Sequence, residues 1–118
     1  MTTRRSARDE IIARVTAWPG VHMAPGDRGE LAFKLGRREI GHLHGHRVAH
    51  FSFPKKLWAE LREQGRIVPH PVFPDSQGPA ARPIATATDV RDVIALFRLN
   101  YDRAVTRYGL PDEVRREA

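Results

Sequence analysis

Within residues 31–35 and again within 47–53 the hydrophobic residues of this chain alternate with a period of two, and that constrains the fold more than any other feature. In ELAFKLG, Leu31, Phe33 and Leu35 alternate along the segment, so one face of a strand is buried. Gly36-Arg37 supplies a turn. Glu39 to His44 and Arg47 to Phe53 read as two further strands around Gly45-His46, and glycine in the first place of a two-residue loop suits a type II′ hairpin.

Helices flank this block. Residues 6–17 carry an apolar stripe of Ala7, Ile11, Ile12, Val15 and Trp18, with Ser6 and Asp9 forming a capping-box-like start and Pro19-Gly20 a stop. A second helix is predicted over 54–64, with Pro54 at its first position, Gly65 beyond its end, and Leu57, Trp58 and Leu61 facing the core. The proline-rich stretch 68–83 reads as an irregular surface crossing, followed by a short strand from Ile84 to Ala87. The third helix is predicted from Asp89 to Tyr108, where Val90, Val93, Ile94, Phe97, Tyr101, Ala104, Val105 and Tyr108 keep a helical period. The sequence therefore predicts a single α+β domain over 1–118, with flexible ends at 1–5 and 110–118. An antiparallel sheet of about four strands would carry about three helices, in the order α-β-β-β-α-β-α.

Composition removes several classes of function. A chain of 118 residues can bury a core without cross-links, and the absence of cysteine excludes disulfides, CxxC redox pairs and thiolate zinc sites. Any metal would have to sit on histidine and carboxylate. The formal charge of +6 invites a nucleic-acid partner, but the basic residues are mostly arginine, spread along the chain and often beside acids. A solvated basic surface is the simpler reading, and a nucleic-acid partner is disfavoured. No apolar run approaches the roughly 18 residues of a membrane span, and no signal-peptide pattern opens the chain. A cytoplasmic protein without a membrane partner is expected.

The chemistry lies in REIGHLHGHRVAHFSFP, which holds four of the six histidines: His42, His44, His46 and His50. With a two-residue turn at Gly45-His46, His44 opposes Arg47, His42 opposes Ala49, and Ile40 opposes Phe51. In that register His42 and His44 share the face of Ile40, Ala49 and Phe51. His50 points the other way, near Glu39, and His46 sits at the tip. Two imidazoles at HxH spacing on a strand lie about 7 Å apart, a spacing used by metal sites. Such a site needs a third ligand and usually a fourth; His70 could supply one, while Glu39 falls on the wrong face. The alternatives are imidazoles bonded to their neighbours without chemistry, and a half-buried pocket whose imidazoles bind or deprotonate a polar ligand. Phe51, Phe53, Trp58 or Phe73 would wall such a pocket, with the 68–83 loop as its rim. A phosphate-binding glycine loop and a nucleophile elbow are both missing.

The segments LGRREIGHLHG, VAHFSFP, ELREQGRIVPHPVFPDS and DVRDVIALFRLNYDR, taken in this order, resemble the luciferase-domain family, found in fungal luciferase and many small bacterial proteins. The shared positions are Glu39, His42, His44, Gly65, His70 and Pro71, and His50 resembles a histidine of the fungal enzyme. Many bacterial relatives carry a Ser-Gly-Trp-like segment after the His-Pro loop; here SQGPAARPIAT places Pro79 about where that aromatic would be. The resemblance implies a cofactor-independent oxygenase-like site for a small planar hydroxylated ligand. In it His42, His44 and His70 are the expected catalytic residues, with His42 first as the base. Glu39, His50, Phe51 and Phe73 are the expected ligand-binding residues, and no metal and no cofactor are expected. A looser likeness of element order, to CyaY-like, YjbR-type domains, would instead imply a nucleic-acid-binding or interaction module without catalysis.

Overall fold

The computed structural model describes residues 6–112 and 114. Its elements follow the order α1 (Ala7–Val15), β1 (Val21–Pro25), β2 (Leu31–Leu35), β3 (Arg38–His44), β4 (Val48–Ser52), α2 (Lys55–Glu63), β5 (Val68–Pro69), β6 (Pro79–Pro83) and α3 (Ala87–Tyr108). The fold is α+β, as expected, but the antiparallel sheet has six strands, ordered β1-β2-β3-β4-β6-β5. Of the ends expected to be flexible, residues 1–5, 113 and 115–118 lie outside the described residues, and Leu110 packs against the core.

The two strands beyond expectation are β1 and β5, and the fourth expected strand is displaced. The β1 sequence VHMAP shows no alternation, yet it pairs along its whole length with β2. The strand expected at Ile84–Ala87 lies earlier, at Pro79–Pro83, inside the stretch read as irregular. Its two prolines stand at the strand ends, where the two-residue β5 does not reach, so no ladder bond is lost on that side. Ala85 and Thr86 instead form the cap of α3. The Thr86 hydroxyl accepts from the Asp89 N–H, and the Asp89 carboxylate accepts from the N–H groups of Ala85 and Thr86.

One face of the sheet packs against helices. Phe33, Leu43, Ala49 and Phe51 meet Val93, Leu96 and Phe97 of α3, with Ile11 and Val15 of α1 and Trp58 and Leu61 of α2 completing the core. Two irregularities decide what the other face carries. The first is a bulge. Phe33 pairs with Gly41 but Lys34 pairs with Glu39, which leaves Ile40 as an extra residue in β3. The alternation changes phase there. Ile40 and Leu43 are both buried in the core, although three residues apart, and Glu39 falls into phase with His42 on the outer face. Gly41 makes this close approach possible, because a Cβ there would stand 2.6 Å from Phe97 and 2.8 Å from Phe51.

The second irregularity is the β3–β4 turn, which uses three residues, Gly45, His46 and Arg47, with Gly45 at φ +61°. His44 therefore pairs with Val48, Leu43 with Ala49, and His42 with His50, one residue away from the expected register. Sorting of side chains selects this pairing. It collects Leu43, Ala49 and Phe51 on the core face and sends His42, His44 and His50 together to the other, whereas the two-residue turn would have put imidazoles beside Phe51.

Candidate functional site

The pairings of all five ladders give a row that crosses the outer face: Ala24, Ala32, His42, His50, Ala81 and Val68, one residue from each strand. Two imidazoles stand in the middle, with a methyl group on each side. Small neighbours leave open space over the histidines, and loops rise around it. The result is a concavity of about 390 Å³ lined by Asp27, Arg28, Glu30, His42, His44, His50, His70, Val72 and Phe73. A larger hollow of about 480 Å³ lies elsewhere, lined by residues including Leu35, Arg38 and Tyr108. Size alone would favour it, but the imidazoles converge only in the smaller one.

His70 arrives by turn chemistry. Its carbonyl accepts from the Phe73 N–H at 3.0 Å, closing a turn with Pro71 in its second position, where a fixed φ is favoured. The ring folds back and its Nδ1 accepts from the Val72 N–H at 3.1 Å. This leaves the ring 4.2 Å from that of His50, between centroids, and 5.4 Å from Phe73. The rings of His42 and His44 are 5.0 Å apart, those of His42 and His50 5.1 Å, and those of His44 and His50 4.6 Å.

Hydrogen bonds fix the tautomers. Glu39 Oε2 lies 2.9 Å from His42 Nδ1, so that nitrogen carries the proton and donates to the carboxylate. In the neutral ring His42 Nε2 is then an acceptor, and His50 Nδ1, 3.2 Å away, donates to it. The chain Glu39–His42–His50 thus has one polarity throughout. His50 is 8% exposed. Burial, with His70, His44 and His42 around it, pushes its pKa down from 6.5 to about 4. Burial first, then His42 and His44, also lowers His70. Both shifts favour the neutral form of His50 and His70 at pH 7.

The structure thus brings His42, His44, His50 and His70 together and leaves His46 exposed at the hairpin tip. Three expectations change. His50 shares the face of His42 instead of opposing it. Glu39 bonds His42 directly, because the bulge brings it into phase. Phe51, expected to touch ligand, lies in the core on the opposite face, 4% exposed and packed edge-on against Phe97. Phe73 does line the concavity and is half exposed. Reading the sequence missed Glu30 and Val72, which come from loops without a motif. It also missed Asn100, whose buried amide donates to the carbonyls of Ile40 and Ser52 at 3.2 Å each, where the bulge ends the β3–β4 ladder. A lone asparagine inside a long apolar helical stripe was the available signal.

A six-stranded antiparallel sheet with helices on one face and converging imidazoles on the other defines an α+β domain with a histidine-centred site. A family model described as Luciferase domain matches residues 37–100, more than half of the chain, and the chain belongs to that family. The match contains Glu39 and all four clustered histidines. Neither curated proteins nor solved structures give a significant match. Among the described residues no helix is long and apolar enough to cross a membrane.

Proposed function

We propose that this protein binds a small, planar, hydroxylated compound in the concavity over β3 and β4. The observation that carries this reading is the convergence of His42, His44, His50 and His70 in one concavity of about 390 Å³, with Val72 and Phe73 on its rim. A flat ring fits such a concavity, and the site falls within the size range of small-molecule sites. Its hydroxyl groups would bond to the imidazoles, while Val72 and Phe73, 62% and 51% exposed, cover its apolar face. Exposed apolar side chains beside a polar pit are better explained by a ligand than by solvation. The family resemblance extends the reading to reaction of an electron-rich bound ligand with O₂, for which the concavity would hold the hydroxyl at the imidazoles and away from water.

The experiment is a thermal-shift screen of polyphenols and pyrones, because a ligand that binds only the folded state raises its melting temperature. A hit should be weakened by His42→Ala and His70→Ala and unaffected by His46→Ala. Oxygen uptake in the presence of the hit then tests the reaction. Binding that ignores both His42→Ala and His70→Ala would move the ligand away from this site and defeat the proposal.

A further inference from the structure

Beyond ligand binding, we infer that His42, His44 and His50 form a site for one divalent first-row transition metal ion, with Glu39 as the carboxylate that orients it. The inference rests on the reading of the concavity as the working site, and adds the ion at its floor. The expectation of no metal rests on a choice limited to histidines and remote carboxylates and on a register that turns Glu39 away from His42 and His44, and that register is not the one formed.

Geometry comes first. One nitrogen from each of the three rings lies within 4.8 Å of the others. His42 Nε2 and His50 Nδ1 are 3.2 Å apart. A tetrahedral ion with bonds of about 2.0–2.1 Å to nitrogen sets its donors about 3.3–3.4 Å apart, so these two atoms already span one edge of a coordination sphere. The rings sit on adjacent strands of a continuous ladder, which fixes that edge without a loop having to close.

Protonation is consistent with it. Glu39 accepts from His42 Nδ1, which leaves the Nε2 lone pair directed away from the carboxylate. A ligating histidine whose other nitrogen donates to a carboxylate is a recurrent arrangement around metals. His50 joins by moving its proton from Nδ1 to Nε2, a change of tautomer that keeps the ring neutral. His70 stays outside. Its Nδ1 accepts from Val72, so the neutral ring carries its proton on Nε2 and has no lone pair to give. It faces the ion as a donor to whatever fills the open position.

A second, independent observation concerns charge. Glu30 lines the same concavity, and its Oε2 is shielded from solvent with no hydrogen-bond partner among the described residues. A buried carboxylate oxygen without a partner is costly unless positive charge stands nearby. Arg28 lines the same concavity but makes no ion pair with Glu30 among the described residues, so a bound cation would supply the missing charge. Three nitrogen donors with an open fourth position suit zinc, copper, nickel or ferrous iron, and the lack of thiolates and multiple carboxylates disfavours calcium and magnesium.

The test uses the full-length chain without a polyhistidine tag, stripped with a chelator and titrated with zinc in competition with a chromogenic chelator. One ion per chain is expected. His42→Ala and His50→Ala should each weaken zinc by about 100-fold or more, and Glu39→Gln by about 10–100-fold. His22→Ala and His46→Ala, remote from the cluster, should match the wild type. If His50→Ala does not fold, Glu39→Gln carries the test, together with the visible absorption of cobalt bound to the wild type, which reports tetrahedral nitrogen coordination. No stoichiometric uptake by the wild type, or uptake that survives both His42→Ala and Glu39→Gln, overturns the site. The two proposals fail separately. Ligand binding by the stripped protein without metal uptake refutes only the metal, and metal uptake without any ligand hit refutes only the ligand.

Discussion

The side-chain amide of Asn100 donates to the carbonyl oxygen of Ile40 across 3.2 Å, and so a residue of α3 satisfies the backbone group that the β3 bulge leaves without a strand partner. The same nitrogen reaches the Ser52 carbonyl, and Arg103 donates to the amide oxygen at 2.8 Å, which fixes the amide's orientation. The bulge is thereby tied to the core from behind. It is also the feature that brings Glu39 to His42.

Asn100→Ala should destabilise the fold by about 1–3 kcal/mol, since two buried carbonyls lose their donor. Urea unfolding measures this. The variant should also loosen Glu39 from His42, visible as a shift in the imidazole proton resonances of His42. Lost stability without any change at His42 would separate the bulge from the site.

Gly41→Ala should be worse tolerated than a typical glycine substitution. Gly41 has φ +156°, and its added methyl would press on Phe97 and Phe51. Overpacking of this kind destabilises by about 1–3 kcal/mol, and relief would come most readily from Phe97→Leu in the same chain. A double variant no more stable than Gly41→Ala alone would place the strain in the backbone instead.

Acid should weaken the metal-free protein before its carboxylates titrate. The folded pKa of His50, about 4, lies below its ordinary value of 6.5. Between those values the unfolded chain takes up a proton that the folded chain refuses. Stability is therefore full above pH 6.5 and falls as pH drops toward 4. His70 adds in the same direction, being lowered as well. Melting temperatures of the wild type and His50→Gln should converge over this window. Parallel curves would show that His50 is protonated in the fold and that its surroundings compensate.

Arg82 joins β6 to α3 through Asp89 at 2.6 Å and Asp92 at 3.0 Å, and Arg66 meets Asp92 at 2.7 Å. Arg82→Met should cost about 1.5–3 kcal/mol, because two partly buried carboxylates lose a charged donor. Acid should remove the same contribution. Backbone N–H groups of Ala85 and Thr86, and Arg82, hold Asp89 below its ordinary pKa, so its stabilisation is present above the carboxylate range and lost below it. Unfolding of Arg82→Met that is as acid-sensitive as the wild type in that range would count against this.

His70 should separate two properties. His70→Ala is expected to weaken the planar ligand while zinc still binds at one ion per chain, as follows from its Nδ1 accepting the Val72 N–H. Loss of zinc in this variant, seen in the competition titration, would mean a fourth imidazole ligand.

How much of this was legible in the sequence depends on the range of the signal. The helical stripe from Val90 to Tyr101, the alternation of Leu31, Phe33 and Leu35, and the stops at Gly65 and Gly109 are local patterns, and the elements formed accordingly. The partners of His42 were not legible, because they depend on counts of one. One residue more in the turn after His44 moved His50 across the sheet, and one extra residue at Ile40 did the same for Glu39. Strand register is set by which side chains the core accepts, and the core is assembled from α3, forty residues and more downstream. The clustering of histidines was visible as composition. Their convergence required the fold.

The loops beside the histidines carry a practical consequence. Because the helices pack on the opposite face of the sheet, the rim of the concavity is built separately from the core, from the 26–30 connection and the Pro71 turn. A relative could therefore change its appetite for ligands through those two loops, while leaving the imidazole machinery as it stands. In the laboratory the same two places are where selectivity can be rewritten.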